Sequence, residues 1–260
     1  MIDLPSWAIA IVLAAVFLLS MEGGWFAYHR LKHAEAGGST GAGYIVGASL
    51  GLLSLLMGFT LALSLDRYEI RRNLVVDEAS AISTVWLRDQ LLDQPFRGHL
   101  DTLLRDYVRE RRSMASVGMT RAALDAADRR AEALQQRIWS ETSAALRAPG
   151  SSALTTPILQ ATNGMFDLPS ARRAALDAVV PPAVLWTLVV VAVISAATTG
   201  YGLAVGAHRH RFASAGLFVA AALIISLIVE LDEPRGGLIQ VPQDPIDRVA
   251  DSILQSPVAP

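Results

Sequence analysis

Four long apolar runs constrain the fold of this chain more than any other feature. Each run is long enough to cross a bilayer, because about 20 helical residues rising about 1.5 Å each cover a hydrocarbon core of about 30 Å. Charged residues make up only 18% of the sequence, against about 25% in soluble domains. The pattern predicts an all-α integral membrane protein with four transmembrane helices in the lipid bilayer. The runs are Trp7–Tyr28, Tyr44–Leu65, Val179–Val205 and Phe212–Val229.

The first run differs from a secretory signal peptide. Residues 1–5 include Asp3 but no basic residue, and no small-x-small cleavage motif follows the run. We therefore expect a retained helix. The chain then divides into transmembrane helices 1 and 2 (1–65), a polar segment (66–178), transmembrane helices 3 and 4 (179–230) and a soluble tail (231–260).

The polar segment 66–178 is predicted to be a helical soluble insert. It carries 16 Arg and 15 acidic residues, and such an even mixture is typical of a solvated helical surface and argues against a nucleic-acid partner. Apolar residues recur at helical spacing over 96–107 and over 124–138, where Thr120 is a candidate N-cap.

Two further helices are expected toward the end of the chain. One begins at about Pro157, after a stretch rich in Pro, Gly and Ser. In the tail, Asp244 and Pro245 are expected to be the cap and the first position of a short helix. Its apolar stripe runs from Ile246 to Ile253.

The second apolar run changes character abruptly at Leu65, and no Gly or Pro marks the border. A helical apolar pattern continues beyond it, through Val75, Ala79, Ile82 and Trp86. We therefore expect one continuous helix that leaves the membrane and enters the insert.

Three arginines follow that border. Arg67, Arg71 and Arg72 are expected at the level of the headgroups, where long basic side chains can reach water.

Small residues line one face of this second helix. Gly43, Gly47 and Gly51 are spaced four apart, and Leu55 and Phe59 continue the same line. Glycines on one face let helices approach closely, so this face is either a packing seam within the chain or a surface around the axis of an oligomer. In the second case the glycines widen a passage, and Leu55 and Phe59 form an apolar constriction that gates by dewetting.

The stretch "MGFTLALSLDRYEIRR" resembles the second transmembrane helix of the bestrophin family, in which a Gly-Phe pair is followed at the same interval by an Arg and an aromatic residue. The matching positions are Gly58, Phe59, Arg67 and Tyr68. The order of segments is also similar, and "LDEPRGG", from Leu231, stands where bestrophins carry an Asn-Pro-Phe-Gly-type turn. More specifically, the sequence is similar to the bacterial bestrophin-like family.

Bestrophins are pentameric ion channels, mostly selective for anions. The resemblance implies a homo-oligomer, a pentamer by analogy, that passes small inorganic ions through an axial pore lined by the second helix. It implies a pore neck at Phe59 and Leu55, with Gly51 as a third position where the family carries a bulky apolar residue. Arg67, Arg71 and Arg72 would then shape the field at the ion's exit.

The calcium site of animal bestrophins does not carry over. It uses a dense acidic cluster, of which this chain has only Asp232 and Glu233.

The resemblance also implies a bacterial inner-membrane protein with a cytoplasmic insert. The charges of the short loops, at Arg30, Lys32, Arg209 and Arg211, favour the opposite orientation by the positive-inside rule.

Glu22 lies inside the first apolar run, where a carboxylate is costly and often functional. It is either an interfacial group within reach of water or the centre of a membrane enzyme or transporter. A third hypothesis is a non-conducting helical scaffold or sensor that binds a protein partner through the insert.

Other chemistry has weak support in the sequence. His29, His33, His208 and His210 lie in or beside the short loops, but they lack the acidic or Cys ligands that usually accompany zinc. The carboxylates of the insert, including the adjacent Asp77 and Glu78, resemble ordinary surface charges, and no catalytic motif occurs. We therefore expect no enzyme activity, no metal and no cofactor.

Overall fold

The computed structural model describes residues 5–31, 39–114, 121–148, 152–205, 211–233 and 239–257. Within these residues every regular element is an α-helix, as predicted. The helices are α1 (Ser6–Leu31), α2 (Ser39–Asp89), α3 (Phe96–Met114), α4 (Arg121–Arg147), α5 (Ser152–Asp177), α6 (Pro182–Val205), α7 (Arg211–Asp232) and α8 (Asp244–Gln255). Four segments are long and apolar enough to cross a membrane: Trp7–Arg30, Gly41–Asp89, Thr155–Val205 and Phe212–Asp232.

The second helix continues past the end of its apolar run without a break. It spans 51 residues, a length of about 76 Å at about 1.5 Å per residue. This is more than twice the thickness of a hydrocarbon core, so only its apolar part, 44–65, fits within a bilayer. The prediction of one continuous helix is confirmed.

One compact unit comprises Met1–Tyr68 and Ala178–Gln240. In it α1 packs against α6 and α7, and the rings of Phe17 and Phe218 meet edge to face at 6.5 Å. Small residues on α6, among them Ala192 and Ala196, are completely buried. The apolar helices of this unit therefore pack closely through small residues and aromatic rings.

The second compact unit comprises Glu69–Asp177 and Val241–Pro260. The apolar stripes predicted for its helices form its core, because these side chains exclude water together. Fully or almost fully buried members are Val75, Ile82, Leu100, Leu104, Tyr107, Ala131, Ile138, Ile246, Ala250 and Ile253. The side chain of Leu124 and the candidate cap Thr120 lie outside the described residues.

Two predicted helix starts are wrong by a few residues. Helix α5 begins at Ser152, and Pro157 lies inside it. Asp244 is the first residue of α8, after an N-cap at Gln243 whose side chain makes no capping hydrogen bond. Pro245 lies in the first turn of α8, where backbone N–H groups have no intrahelical partner. Pro157 is the sixth residue of α5 and lies beyond that first turn, so it does not mark the start of the helix.

Candidate functional site

One face of α2 in its apolar part is left uncovered by the other residues that the structure describes. A Cβ atom added at Gly43, Gly47, Gly51 or Gly58 would meet nothing within 4 Å. The side chain of Leu55 is 55% exposed and that of Phe59 is 68% exposed. Only 11% of the most apolar stretch of α2 is buried inside the chain, against 33% for α7.

The opposite face of α2 holds the helix to its own unit. Leu53, Thr60 and Ser64 are buried there. The Ser49 hydroxyl lies 3.1 Å from that of Thr198 on α6, and the Ser195 hydroxyl donates to the Ser49 carbonyl oxygen at 3.1 Å. These contacts fix which face of α2 is exposed.

The exposed face combines small residues with an apolar pair. Beside the glycines it presents Ala48, Ser54 and Ala62, all exposed. Lipid tails gain little from glycine and from a serine hydroxyl, whereas a neighbouring helix packs closely against such a surface. The glycine series is therefore not a packing seam within the described part of the chain, and its exposed surface matches what an oligomer contact or a pore wall needs.

The three arginines of α2 have different surroundings. Arg72 is exposed, and Arg67 is half-buried with an Nε atom that has no hydrogen-bond partner. Arg71 is 4% exposed, and its Nε donates to the Ala175 carbonyl oxygen at 3.1 Å. The burial of Arg71 corrects the expectation that all three side chains extend into the headgroup region, because this guanidinium packs against α5.

Glu22 is exposed on α1. His29 is exposed as well, and its Nδ1 lies 3.0 Å from the Trp25 carbonyl oxygen. His33, His208 and His210 lie outside the described residues. Among the residues that are described, no group of three or more potential metal ligands is present.

Glu78 corrects the prediction that Asp77 and Glu78 are both surface charges. Asp77 is exposed, but Glu78 is completely buried and accepts hydrogen bonds from two arginines. The Arg111 Nε lies 2.5 Å from one carboxylate oxygen of Glu78, and the Arg172 Nη1 lies 2.5 Å from the other. Arg172 also donates to Gln243 at 2.9 Å.

This buried cluster is a structural element that the sequence reasoning missed. Burial alone would raise the pKa of Glu78, but the guanidinium groups of Arg111 and Arg172 outweigh it and lower the pKa, so the carboxylate stays ionised. A signal was present, because position 78 lies between Val75 and Ile82 on the buried stripe of α2.

The acidic residues at the end of α7 serve as backbone acceptors. Both carboxylate oxygens of Asp232 accept from the Val180 amide, at 2.9 and 3.0 Å. Glu230 accepts from the Ile239 amide at 3.1 Å. These carboxylates hold the start of α6 and the segment after α7, and residues 234–238, where the sequence predicted a turn, lie outside the described residues.

The apolar helices and the uncovered face of α2 define an all-helical integral membrane protein. The family model of the Bestrophin-like domain matches residues 14–246. The chain therefore belongs to the Bestrophin-like family, and the resemblance drawn from the α2 motif is confirmed.

Solved structures of bacterial bestrophin homologues share this fold. A crystal structure of a bacterial bestrophin homologue from Klebsiella pneumoniae, phased by Zn-SAD, has a TM-score of 0.70 and 16% sequence identity, covering 94% of this chain and 97% of that one. A point variant of the bacterial homologue from the same organism has a TM-score of 0.71 and 15% identity, covering 95% and 99%. No curated protein sequence matches the chain.

Proposed function

We propose that this protein is an oligomeric channel for small inorganic ions, anions in the first place, whose axial pore is lined by α2. One observation carries the proposal: the glycine face of α2, with Leu55 and Phe59, is not covered by the chain's own helices. In a pentamer the same face from each subunit would surround the axis. Phe59 and Leu55 would form the narrowest part of the pore, with Gly51 as a wider position beside them.

Arg67 and Arg72 would raise the local anion concentration where ions leave the neck. Arg71 would act through the packing of α5, since its side chain is buried. Family membership supports the channel, because bestrophin homologues are ion channels.

Ion flux into liposomes tests the proposal. Purified protein should pass chloride. Phe59→Ala and Leu55→Ala should each raise the flux several-fold, because the smaller side chain leaves a wider neck, and a wider apolar neck dewets less readily. Leu223→Ala on α7 is a matched control, since Leu223 is 58% exposed and Leu55 is 55% exposed. The channel proposal fails if the protein passes no small ions and the neck variants change nothing.

The mass of the particle in mild detergent distinguishes the alternatives. A pentamer supports the pore, whereas a monomer contradicts it. An oligomer that conducts nothing would favour the non-conducting scaffold or sensor, and loss of a transport or enzyme activity in a folded Glu22→Gln variant would favour a site centred on Glu22.

We further propose that the protein lies in a bacterial inner membrane with residues 66–178 in the cytoplasm. The sequence contains no cysteine, so a single introduced thiol reports its own location. Ser113 is exposed on α3. Ser113→Cys in spheroplasts should resist a membrane-impermeant maleimide until the cells are permeabilised, and labelling of intact spheroplasts would reverse the orientation.

A further inference from the structure

Asp89 is the last residue of α2, and its carboxyl group is buried. Its side chain is 1% exposed, and among the described residues neither of its carboxyl oxygens has a hydrogen-bond partner. Glu78, on the same helix, is equally buried but has two arginine partners. Asp89 lies about seven helical turns beyond Leu65, outside the part of α2 that fits in a bilayer.

The surroundings of Asp89 are apolar. Val85, one turn earlier on α2, and Leu92, three residues later, belong to the same buried cluster as residues of α3, α4 and α5. The Leu92 amide donates to the Asp89 carbonyl oxygen at 3.1 Å. The position at the carboxyl end of a helix adds to the cost of a negative charge, because the helix dipole is negative there.

Most of the charged groups near this end of α2 have other partners. Arg88, next to Asp89, donates to the Pro157 carbonyl oxygen of α5. Asp101 binds Arg105 and Trp86, and His99 of α3 binds Glu141 of α4. Arg97 of α3 is the exception, because its Nε is buried and has no hydrogen-bond partner among the described residues. None of these charges contributes to the state of Asp89: burial alone raises its pKa to about 7.

We propose that Asp89 is a proton-operated latch on the insert. The last turn of α2 packs into the apolar cluster with a neutral carboxyl group, and ionisation of that group releases the turn together with the connection 90–95. The order of this end of α2 then follows the pH of the compartment that the insert faces. This inference concerns the insert alone and does not depend on ion conduction.

The sign of the effect follows from proton linkage. The packed state holds a proton on Asp89 up to about pH 7, whereas a released, hydrated Asp loses it near its ordinary pKa of about 3.9. Between these values the packed state binds one proton more than the released state. The equilibrium constant for release of the turn, here the opening constant, therefore rises about tenfold per pH unit and becomes constant above about pH 7. Glu78 changes stability in the opposite direction. Because its pKa is lowered in the folded protein, the protein loses stability as the pH falls.

Hydrogen exchange of the purified full chain tests the latch. Peptides covering 85–95, corrected for the intrinsic rate, should show an opening constant about 50-fold larger at pH 7 than at pH 5. Asp89→Asn removes the titrating group and should abolish this dependence. Asp93→Asn, four residues away at an exposed position, should keep it.

Two results would overturn the proposal. One is an opening constant of the unmodified chain that does not change between pH 5 and pH 7. The other is a pH dependence that survives in Asp89→Asn. If that variant does not fold, Asp89→Leu takes its place, and the pH profile of the unmodified chain still decides.

Discussion

Glycines lie on two helix surfaces in the unit formed by Met1–Tyr68 and Ala178–Gln240. One surface is packed against another helix, and the other is not covered by any described residue. At Gly24 of α1 an added Cβ would lie 1.9 Å from the Ala197 carbonyl oxygen, and at Gly200 of α6 it would lie 1.8 Å from that of Met21. At Gly51 on α2 it would meet nothing within 4 Å. Gly24 and Gly200 allow α1 and α6 to pack in close contact within the protein and so form a closed seam. The glycines of α2 leave room for a partner outside the chain.

The difference shows that glycine spacing alone does not reveal what a glycine contacts. The glycines of α2 have the regular four-residue spacing that is typical of close helix packing, yet no described residue covers them. The irregular pair, which includes one glycine of "EGGW", brings the backbones of α1 and α6 together. A surface of small residues that stays open on a single chain has a function only when another subunit, or a pore, meets it.

A large loss of stability is expected when the closed seam between α1 and α6 is changed. Gly200→Ala would force α1 and α6 apart, because the added methyl group meets backbone rather than a flexible side chain. We expect a loss of about 3 kcal/mol or more in stability, since overpacking against rigid atoms has little relief. The fraction of monodisperse protein after heating in detergent measures the loss.

Gly23→Ala is the control for this seam, because a Cβ atom at Gly23 meets nothing within 4 Å. It should leave the stability unchanged or slightly higher, since alanine favours a helix over glycine by about 1 kcal/mol. Equal stability of Gly200→Ala and Gly23→Ala would remove the distinction between the two surfaces.

Two adjacent carboxylates in residues 66–178 show the same contrast: Glu78 is buried, and Asp77 is exposed. Glu78→Gln would leave the buried Arg111 and the partly exposed Arg172 without the carboxylate that they share, at a cost of about 3–5 kcal/mol. Asp77→Asn changes an exposed residue and should stay within about 0.5 kcal/mol. Thermal unfolding of both variants at pH 7 measures the difference, and similar values would contradict the buried cluster.

A pH series sharpens this contrast. The pKa of Glu78 is lowered in the folded protein, so its contribution is complete above the ordinary carboxyl pKa of about 4.3 and is lost as the pH falls through the folded value. The unmodified protein should therefore lose more stability than Glu78→Gln between pH 5 and pH 3. Unfolding temperatures measured at each pH test this, and parallel curves would exclude the effect.

Local patterns predicted most of the fold. The apolar periodicity of α2, α3 and α8 gave the helices and their buried stripes, because helix packing buries residues at the period of the helix itself. The motif around Gly58 and Phe59 gave the family. Both features can be recognised within a few turns of a single helix.

The remaining features depend on partners that are distant in the sequence. Glu78 is buried because Arg111 and Arg172 approach it from other helices. Gly200 is tightly packed because the Met21 carbonyl faces it. The spacing along α2 places position 78 on the buried stripe, but no spacing within a single helix identifies the two arginines or the Met21 carbonyl. The sequence pattern therefore left Glu78 as a surface charge and did not single out Gly200.

Only a small effect on stability is expected on the open face of α2, and the variant there is the most informative one. Gly51→Ala should change the stability of the subunit by no more than about 1 kcal/mol, through helix propensity alone. In the proposed oligomer the added methyl group would narrow the passage once per subunit, so chloride flux should fall several-fold. Gly164→Ala on α5 is a matched control with an equally open position, and its flux should not change. If Gly51→Ala instead destabilised an isolated subunit, the α2 face would be a second internal seam and would not be available to line a pore.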